Sequence, residues 1–162
     1  MSTVVDDLRD RSLGGTESAK VAADPDTVFR AITDIAKLAQ WNARMTRVVN
    51  APERLERGAE WVVEFRVFGR TWLSRSHVQS VDGANRTFAY RSQTDDGNPS
   101  FTDWWWAVEP ANGGSWVTVS CQLHPRTFWR RTLFGRIRAR QLLRTELSAS
   151  LAALDAFARF NE

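Results

Sequence analysis

The sequence predicts an α+β domain made of one strand, two short helices, a series of antiparallel strands in sequential hairpins and one long final helix. Three observations support this class. Apolar residues recur at helical spacing shortly after position 24, alternate with polar residues through most of the middle of the chain, and return to helical spacing after position 125. The length of 162 residues is enough for one such domain, which should bury about 70% of its unfolded surface.

The beginning of the chain is predicted to be a flexible tail that precedes a strand and two short helices. Residues 1–13 are polar and lead into two glycines, so the single folded domain is expected to span residues 14–162. After a strand of alternating small and polar residues, Asp24 and Pro25 are the residue types that begin a helix. The helical spacing is interrupted near Asp34, which indicates a second short helix.

The first predicted hairpin joins residues 61–68 to residues 71–81 through a turn at Gly69-Arg70. This register places Glu64 opposite Arg75, an opposite-charge pair on the polar face. The other face is expected to be the inner one, and small hydroxyl side chains on it leave space for a ligand unless the sheet edge is open to solvent. Its members are Trp61, Val63, Phe65, Trp72, Ser74 and Ser76.

Three further strands are predicted over residues 87–94, 101–109 and 116–123. In the first of them, Phe88, Tyr90 and Ser92 share the inner face.

The last two strands are expected to be joined by a five-residue loop over 110–114, and this loop length decides which side chains face inward. It places Asp103 and Trp105 on the inner face beside Val119. Trp104 and Trp106 then point outward as an exposed aromatic pair, a possible homodimer contact.

The C-terminal part of the chain is predicted to be a long amphipathic helix. Steps of 4, 4, 3 and 4 residues separate the members of one apolar stripe, which are Leu143, Leu147, Leu151, Leu154 and Ala158.

Composition argues against several classes of protein. Cys121 is the single cysteine, so no internal disulfide is expected, and no spacing of His and Cys predicts a metal site. Neither a long apolar run nor a secretory signal is present, which predicts a cytoplasmic chain without membrane insertion. No phosphate-binding loop, dinucleotide fingerprint or nucleophile elbow occurs, so no cofactor is expected.

Positive charge is concentrated near the C-terminus. Seven arginines and no carboxylate lie between Arg126 and Arg144. Such a surface can bind an acidic partner, for which Arg130, Arg131 and Arg138 are the candidate residues, or it can be only a solvated helix face. Nucleic acid is not expected to bind there, because no base-reading motif accompanies the charge.

Two segments resemble a known family. Residues 23–34, ADPDTVFRAITD, are followed by Trp41-Asn42, and residues 113–119 read GGSWVTV, with Ser115 where the family pattern has threonine. This pattern resembles the polyketide cyclase/dehydrase-like branch of the START-like (SRPBCC) superfamily, over about residues 14–160. The resemblance implies a helix-grip fold, in which a curved antiparallel sheet wraps around the C-terminal helix.

Three functions remain open at this stage. The first is a binding module that holds a lipid-, polyketide- or isoprenoid-like molecule between sheet and helix. The second is a polyketide cyclase or dehydrase acting on a carrier-tethered chain, with Asp103 or Tyr90 as the proton-transferring group. The third is an interaction module that uses the arginine-rich helix. The predicted ligand-binding residues are Trp61, Val63, Phe65, Trp72, Ser74, Ser76, Phe88, Tyr90, Asp103, Trp105, Val119, Leu143 and Leu147.

Overall fold

The computed structural model describes residues 14–127 and 145–160, which form a seven-stranded antiparallel sheet with helices on one face. The sheet order is β1-β7-β6-β5-β4-β3-β2. The elements in chain order are β1 (Gly14–Val21), α1 (Pro25–Thr33), a 3₁₀ helix (Ile35–Gln40), β2 (Met45–Asn50), β3 (Glu60–Val67), β4 (Arg70–Asp82), β5 (Thr87–Thr94), β6 (Phe101–Ala111), β7 (Gly114–His124) and α2 (Leu147–Phe160).

This architecture confirms the predicted α+β class and the helix-grip arrangement. Some predicted features lie outside the described residues. They are the N-terminal tail over residues 1–13, the first part of the C-terminal helix with Leu143, and the partner residues Arg130, Arg131 and Arg138.

The inner face of the sheet is the face that packs against α1 and α2, and it carries the hydrophobic core. Val117 and Val119 of β7 and Leu154 of α2 are fully buried in this core. The described part of the predicted C-terminal stripe is also buried, from Leu147 to Ala158. The apolar stripe of α2 therefore packs against β1 and α1.

The start of α1 follows the capping chemistry that the sequence predicts. The Asp24 carboxylate accepts hydrogen bonds from the backbone N–H groups of Asp26 and Thr27, and Pro25 occupies the first turn. A hydrogen bond from the Thr27 hydroxyl lowers the pKa of Asp24, and the backbone hydrogen bonds from Thr27 and Asp26 lower it further. The following 3₁₀ helix ends at Gln40, and the next residue, Trp41, is buried.

Two hydrogen bonds fix α2 to the rest of the domain. The Asp155 carboxylate accepts from the backbone N–H of Ala22 at 2.9 Å, just beyond the end of β1. The Ser150 hydroxyl accepts from the backbone N–H of Ala43 at 3.0 Å, between the 3₁₀ helix and β2. Both contacts link the helix to residues more than 100 positions away, so they define how α2 lies across the inner face.

The predicted register of the β3–β4 hairpin is wrong by two residues. The turn lies at Phe68-Gly69, whose φ angles are 50° and 74°, and Trp61 is opposite Ser76. A shift of two residues leaves every side chain on the face where it was predicted, because side chains alternate with a period of two. The predicted pairing of Glu64 with Arg75 does not form, because Arg75 binds Glu60 and Asp95 instead.

The predicted orientation of β6 is inverted. Ala111 pairs with Gly114 across a two-residue turn, instead of the predicted five-residue loop. Side chains therefore alternate in the opposite phase, and Trp106 is 3% exposed whereas Trp105 is 43% exposed. Trp104 and Trp106 are thus inside and do not form the predicted outward pair.

The edge strand β2 was not predicted from the sequence. Most of its residues are exposed or half-buried, and its pairing with β3 shifts register between Met45 and Arg47 and again between Val48 and Asn50. These irregularities break the alternation on which strand prediction depends.

Candidate functional site

The inner face carries a group of five hydroxyl side chains, which we call the hydroxyl patch. Ser76 of β4 lies opposite Ser92 of β5, which in turn lies opposite Thr102 of β6. In the neighbouring row Ser74 lies opposite Thr94. Residues that face each other across antiparallel strands share a face, so the five hydroxyls form one continuous area.

The hydroxyls of the patch differ in whether the protein already satisfies them. Ser74 donates to the backbone carbonyl of Gln93 at 3.3 Å, and Ser92 accepts from the indole N–H of Trp104 at 2.9 Å. Ser76 is 2% exposed as a residue, and no hydrogen bond to its hydroxyl occurs among the described residues, but its oxygen is not one of their fully buried, unsatisfied atoms. The hydroxyl oxygen of Ser76 therefore remains accessible and can form a hydrogen bond with a ligand oxygen.

Two stacked aromatic pairs border the hydroxyl patch. On one side Tyr90 and Trp104 stack with ring centroids 6.0 Å apart, and Trp61 meets Tyr90 edge-on at 4.8 Å. On the other side Phe65 and Trp72 stack at 5.8 Å. Apolar walls around a few hydrogen-bonding groups are typical of sites for small organic molecules.

Tyr90 is the phenol of this site, and its surroundings keep it neutral. Burial raises the pKa of Tyr90 well above its ordinary value, and a hydrogen bond from Trp106 only partly opposes this effect. A neutral phenol can donate a hydrogen bond to a ligand carbonyl but cannot act as a base near neutral pH. The structure thus places Tyr90 on the inner face, as predicted.

Ionisable groups are sparse on this face. Among the inner-face positions of the described strands, one is occupied by a carboxylate. It is Glu17 of the edge strand β1, which lies opposite Val119. No histidine of these strands occupies such a position, because His77 pairs with Glu60 and His124 with Phe101 on the outer face. The described part of the site is therefore neutral and polar within an apolar surround.

Asp103, predicted as a catalytic group on the inner face, lies on the outer face. Its carboxylate accepts two hydrogen bonds from Arg91, at 2.7 and 3.0 Å, and lies 3.3 Å from Nε2 of His124. The side chain of Asp103 is 30% exposed, so it also contacts solvent. The prediction fails because it depended on the phase of β6, and the same error placed Trp105 inside.

The other predicted ligand residues divide into two groups. Trp61, Val63, Phe88 and Val119 are at most 2% exposed and belong to the packed core. Phe65 and Trp72 are half-buried next to the hydroxyl patch, and Ser74 and Ser76 are part of it.

Three residues of the site were missed by sequence reasoning, and a fourth, Ser92, was placed on the inner face with Tyr90 but not among the predicted ligand residues. Thr94 follows Ser92 at the same period of two, so the same alternation would have found it. Thr102 and Trp104 were missed because β6 was read in the wrong phase.

Two negative observations apply to residues 14–127 and 145–160. They contain no cluster of three or more His, Cys, Asp or Glu side chains suited to a metal ion. Neither α1 nor α2 nor any other described helix has the length and apolar character needed to cross a membrane.

The curved seven-stranded sheet, the C-terminal helix packed on its inner face and the polar patch within that face define a START-like protein. Sequence comparison gives the particular family. The chain belongs to the polyketide cyclase/dehydrase and lipid transport family, whose model matches residues 14–158. Membership indicates hydrophobic-ligand binding or a polyketide cyclase role. No curated protein matches the chain in sequence.

Solved structures share the fold at low sequence identity. The Zhui aromatase/cyclase from Streptomyces sp. R1128 is 21% identical, with a TM-score of 0.65 over 90% of this chain and 93% of that one. A START superfamily protein from Mycobacterium smegmatis is 14% identical, with a TM-score of 0.71 over 92% and 99%. The di-domain aromatase/cyclase StfQ from the steffimycin biosynthetic pathway is 15% identical, with a TM-score of 0.74 over 96% of this chain and 54% of that one. Similarity at this level shows the fold alone.

Proposed function

We propose that this protein binds an apolar small molecule carrying neutral oxygen atoms, held between the hydroxyl patch and the C-terminal helix. The observation that carries the proposal is the patch of five hydroxyls bordered by two aromatic pairs, in which the Ser76 hydroxyl makes no hydrogen bond among the described residues and its oxygen remains accessible. The family description, which includes lipid transport and polyketide cyclisation, supports the same class of ligand.

The energetics favour a ligand that is mostly apolar but not entirely so. Contact with Phe65, Trp72 and Trp104 yields roughly 25 cal/mol for each Å² of apolar surface removed from water. A hydrogen bond between the Ser76 hydroxyl and a ligand carbonyl or hydroxyl would contribute about 0.5–1.5 kcal/mol. A charged head group would find no opposite charge beside the patch in the described strands, and burying it there would be costly.

The experiment is a titration with Nile red, an uncharged apolar fluorescent probe that carries a carbonyl oxygen, on the wild type and on the double variant S74L/S76L. Two leucines would add apolar bulk where the ligand is proposed to lie and remove both hydroxyls, so we expect the probe affinity to fall about tenfold or more. The matched control is S80L, which makes the same change on the same strand at an exposed position.

Circular dichroism and thermal unfolding would establish that each variant is folded. An unchanged probe affinity in folded S74L/S76L would show that the ligand binds elsewhere. Native mass spectrometry of the purified protein provides independent support if an apolar molecule copurifies with the wild type and is lost from the double variant.

A second candidate function is that of a cyclase or dehydrase, and the observation that favours it is the neutral phenol of Tyr90 at the border of the patch. In this role Tyr90 would donate a hydrogen bond to a ligand carbonyl and so assist enolisation. Conversion of a poly-β-ketone substrate analogue would be measured for wild type and Tyr90→Phe. An enzyme would lose turnover by more than it loses affinity, whereas a carrier would show no turnover in either form.

If the substrate is tethered, its acidic carrier protein would meet the arginine-rich stretch of residues 126–144. Such an association should weaken steeply as salt rises, because the Debye length shrinks to about 3 Å at 1 M salt. Replacing Arg130, Arg131 and Arg138 by Glu should abolish it while leaving binding of a free apolar ligand unchanged. If the affinity for the carrier protein changes neither with salt nor with these substitutions, the arginine-rich stretch does not bind the carrier and is only a solvated surface.

A further inference from the structure

The outer face of the sheet carries a depression of about 560 Å³, on the opposite side of the sheet from the hydroxyl patch. The strand register explains its shape. Trp105 lies between Ala89 and Ser120 in one row, and the next row ends at Gly14, which has no side chain. Small residues thus flank the depression and leave Trp105 43% exposed beside it. The volume is within the range of about 300–1,000 Å³ typical of small-molecule sites.

Neutral hydrogen-bonding groups line the depression around the indole. No partner for the side-chain amide of Gln122 occurs among the described residues. The hydroxyls of Thr16 and Ser120 bind each other at 2.8 Å, which leaves lone pairs and one further proton for another group. Gln79 donates to Asp103 through Nε2 at 3.4 Å, so the amide oxygen of Gln79 stays available. These groups can both donate and accept hydrogen bonds.

The charge of this surface is balanced within the protein itself. Asp103, the carboxylate of the depression, is paired in a bidentate ion pair with Arg91. Its oxygens are occupied, so it positions Gln79 and attracts neither a free cation nor a free anion strongly. A neutral polar ligand fits this surface better than a charged one.

From these observations we propose that the depression is a second binding site, which takes a neutral sugar ring stacked on Trp105. A pyranose ring presents an apolar C–H face to an indole and hydroxyls around its edge, each of which both donates and accepts. Amide and hydroxyl side chains around an exposed tryptophan match this distribution. The site is open to solvent, which suits a ring at the end of a glycan or of a glycosylated molecule.

The test is a ¹⁵N-edited NMR titration of the tryptophan indole signals with methyl glycosides of glucose, galactose, mannose and N-acetylglucosamine. We expect at least one of the four to shift the Trp105 signal with a Kd of about 1–10 mM. Trp105→Ala should weaken binding of that glycoside roughly tenfold, and Gln122→Ala about fivefold through loss of one hydrogen bond. Trp105→Phe, which keeps an aromatic ring, should retain part of the affinity.

The matched control is Trp116→Ala. Trp116 has the same 43% exposure and lies on the same face, but it is not part of the depression, so its loss should leave sugar affinity unchanged. The proposal is overturned if none of the four glycosides binds saturably up to about 50 mM, or if binding survives Trp105→Ala. Stronger binding of glucuronate than of methyl glucoside would also contradict it, because the site would then be selecting negative charge.

This site and the inner-face site can fail separately. Trp105→Ala should leave the affinity for the apolar probe unchanged, and S74L/S76L should leave sugar binding unchanged.

Discussion

Burial keeps the Tyr90 phenol neutral, so that it can donate a hydrogen bond to a ligand. Burial also makes the free energy of unfolding depend on pH through this residue. The unfolded chain releases a tyrosine proton at about pH 10, whereas the folded chain retains it to higher pH because burial raises the pKa of Tyr90. The contribution of neutral Tyr90 to the free energy of unfolding is therefore fully present below about pH 10, and it is lost as the pH rises above that value.

We expect the wild type to lose up to about 1.4 kcal/mol of unfolding free energy per pH unit above pH 10 in excess of Tyr90→Phe. Urea denaturation of both proteins between pH 8 and about pH 12 measures the difference. Tyr90 is the one tyrosine of the chain, so phenolate absorbance assigns the titration without ambiguity. If the free energy of unfolding depends on pH in the same way for both proteins, Tyr90 ionises as an exposed phenol does and the prediction is wrong.

Asp103 shows how much a residue's role depends on the face that it occupies. Because Asp103 is paired with Arg91 on the outer face, Asp103→Asn should leave the affinity for the apolar probe unchanged. The partly exposed ion pair should contribute at most about 1 kcal/mol to stability. Probe titration and thermal unfolding of the variant measure both quantities. A large loss of probe affinity would mean that the ligand is bound on the outer face.

Among the elements, the tight turn between β6 and β7 sets the phase of both strands. Gly114 follows this turn, and a Cβ atom there would lie 2.2 Å from the carbonyl oxygen of Val21. Its φ of 153° is also a conformation that L side chains rarely adopt. The end of β1 can therefore approach β7 closely only if this residue is glycine.

We expect Gly114→Ala to destabilise the domain by about 2–3 kcal/mol through this backbone clash. Gly83→Ala is the control, because nothing lies within 4 Å of a Cβ atom at that position. Chemical denaturation of the two variants compares them directly. Equal stabilities would show that the β1–β7 contact adjusts without cost.

The strands also show where sequence reasoning succeeds and where it stops. β5 and β7 have clear alternation, and their inner residues, such as Phe88 and Val119, were predicted correctly. β6 contains three consecutive tryptophans, which are apolar on both faces and so define no phase. Its orientation then depended on an assumed loop length, and an error there reverses every side chain of the strand.

For the hairpin of β3 and β4, a charge pair suggested the register, but charged side chains are long enough to find other partners. Arg75 binds Asp95, which lies beyond the end of β5, a contact that only the assembled sheet creates. The inner face was nevertheless predicted correctly, because the error was an even number of residues. The helices were predicted well, since Asp24 and Pro25 are local signals that need no tertiary context.

At the scale of the whole molecule, the two faces of the sheet have different chemistry. The inner face combines hydroxyls with aromatic walls, and the outer face combines ion pairs with two exposed tryptophans, Trp105 and Trp116. The sequence predicted the residue types of the inner site, including Ser74, Ser76 and Tyr90. It did not predict their grouping with Ser92 and Thr102, because that grouping depends on the registers of three strands at once.

The central claim is that an apolar ligand lies against the inner face, and the tryptophan indole signals test it most directly. Trp72 and Trp104 border the hydroxyl patch, whereas Trp105 and Trp116 lie on the outer face. In a ¹⁵N-edited NMR titration with the apolar probe, we predict that the indole signals of Trp72 and Trp104 shift saturably and those of Trp105 and Trp116 do not. Shifts of Trp105 or Trp116 with unchanged Trp72 and Trp104 signals would contradict the account.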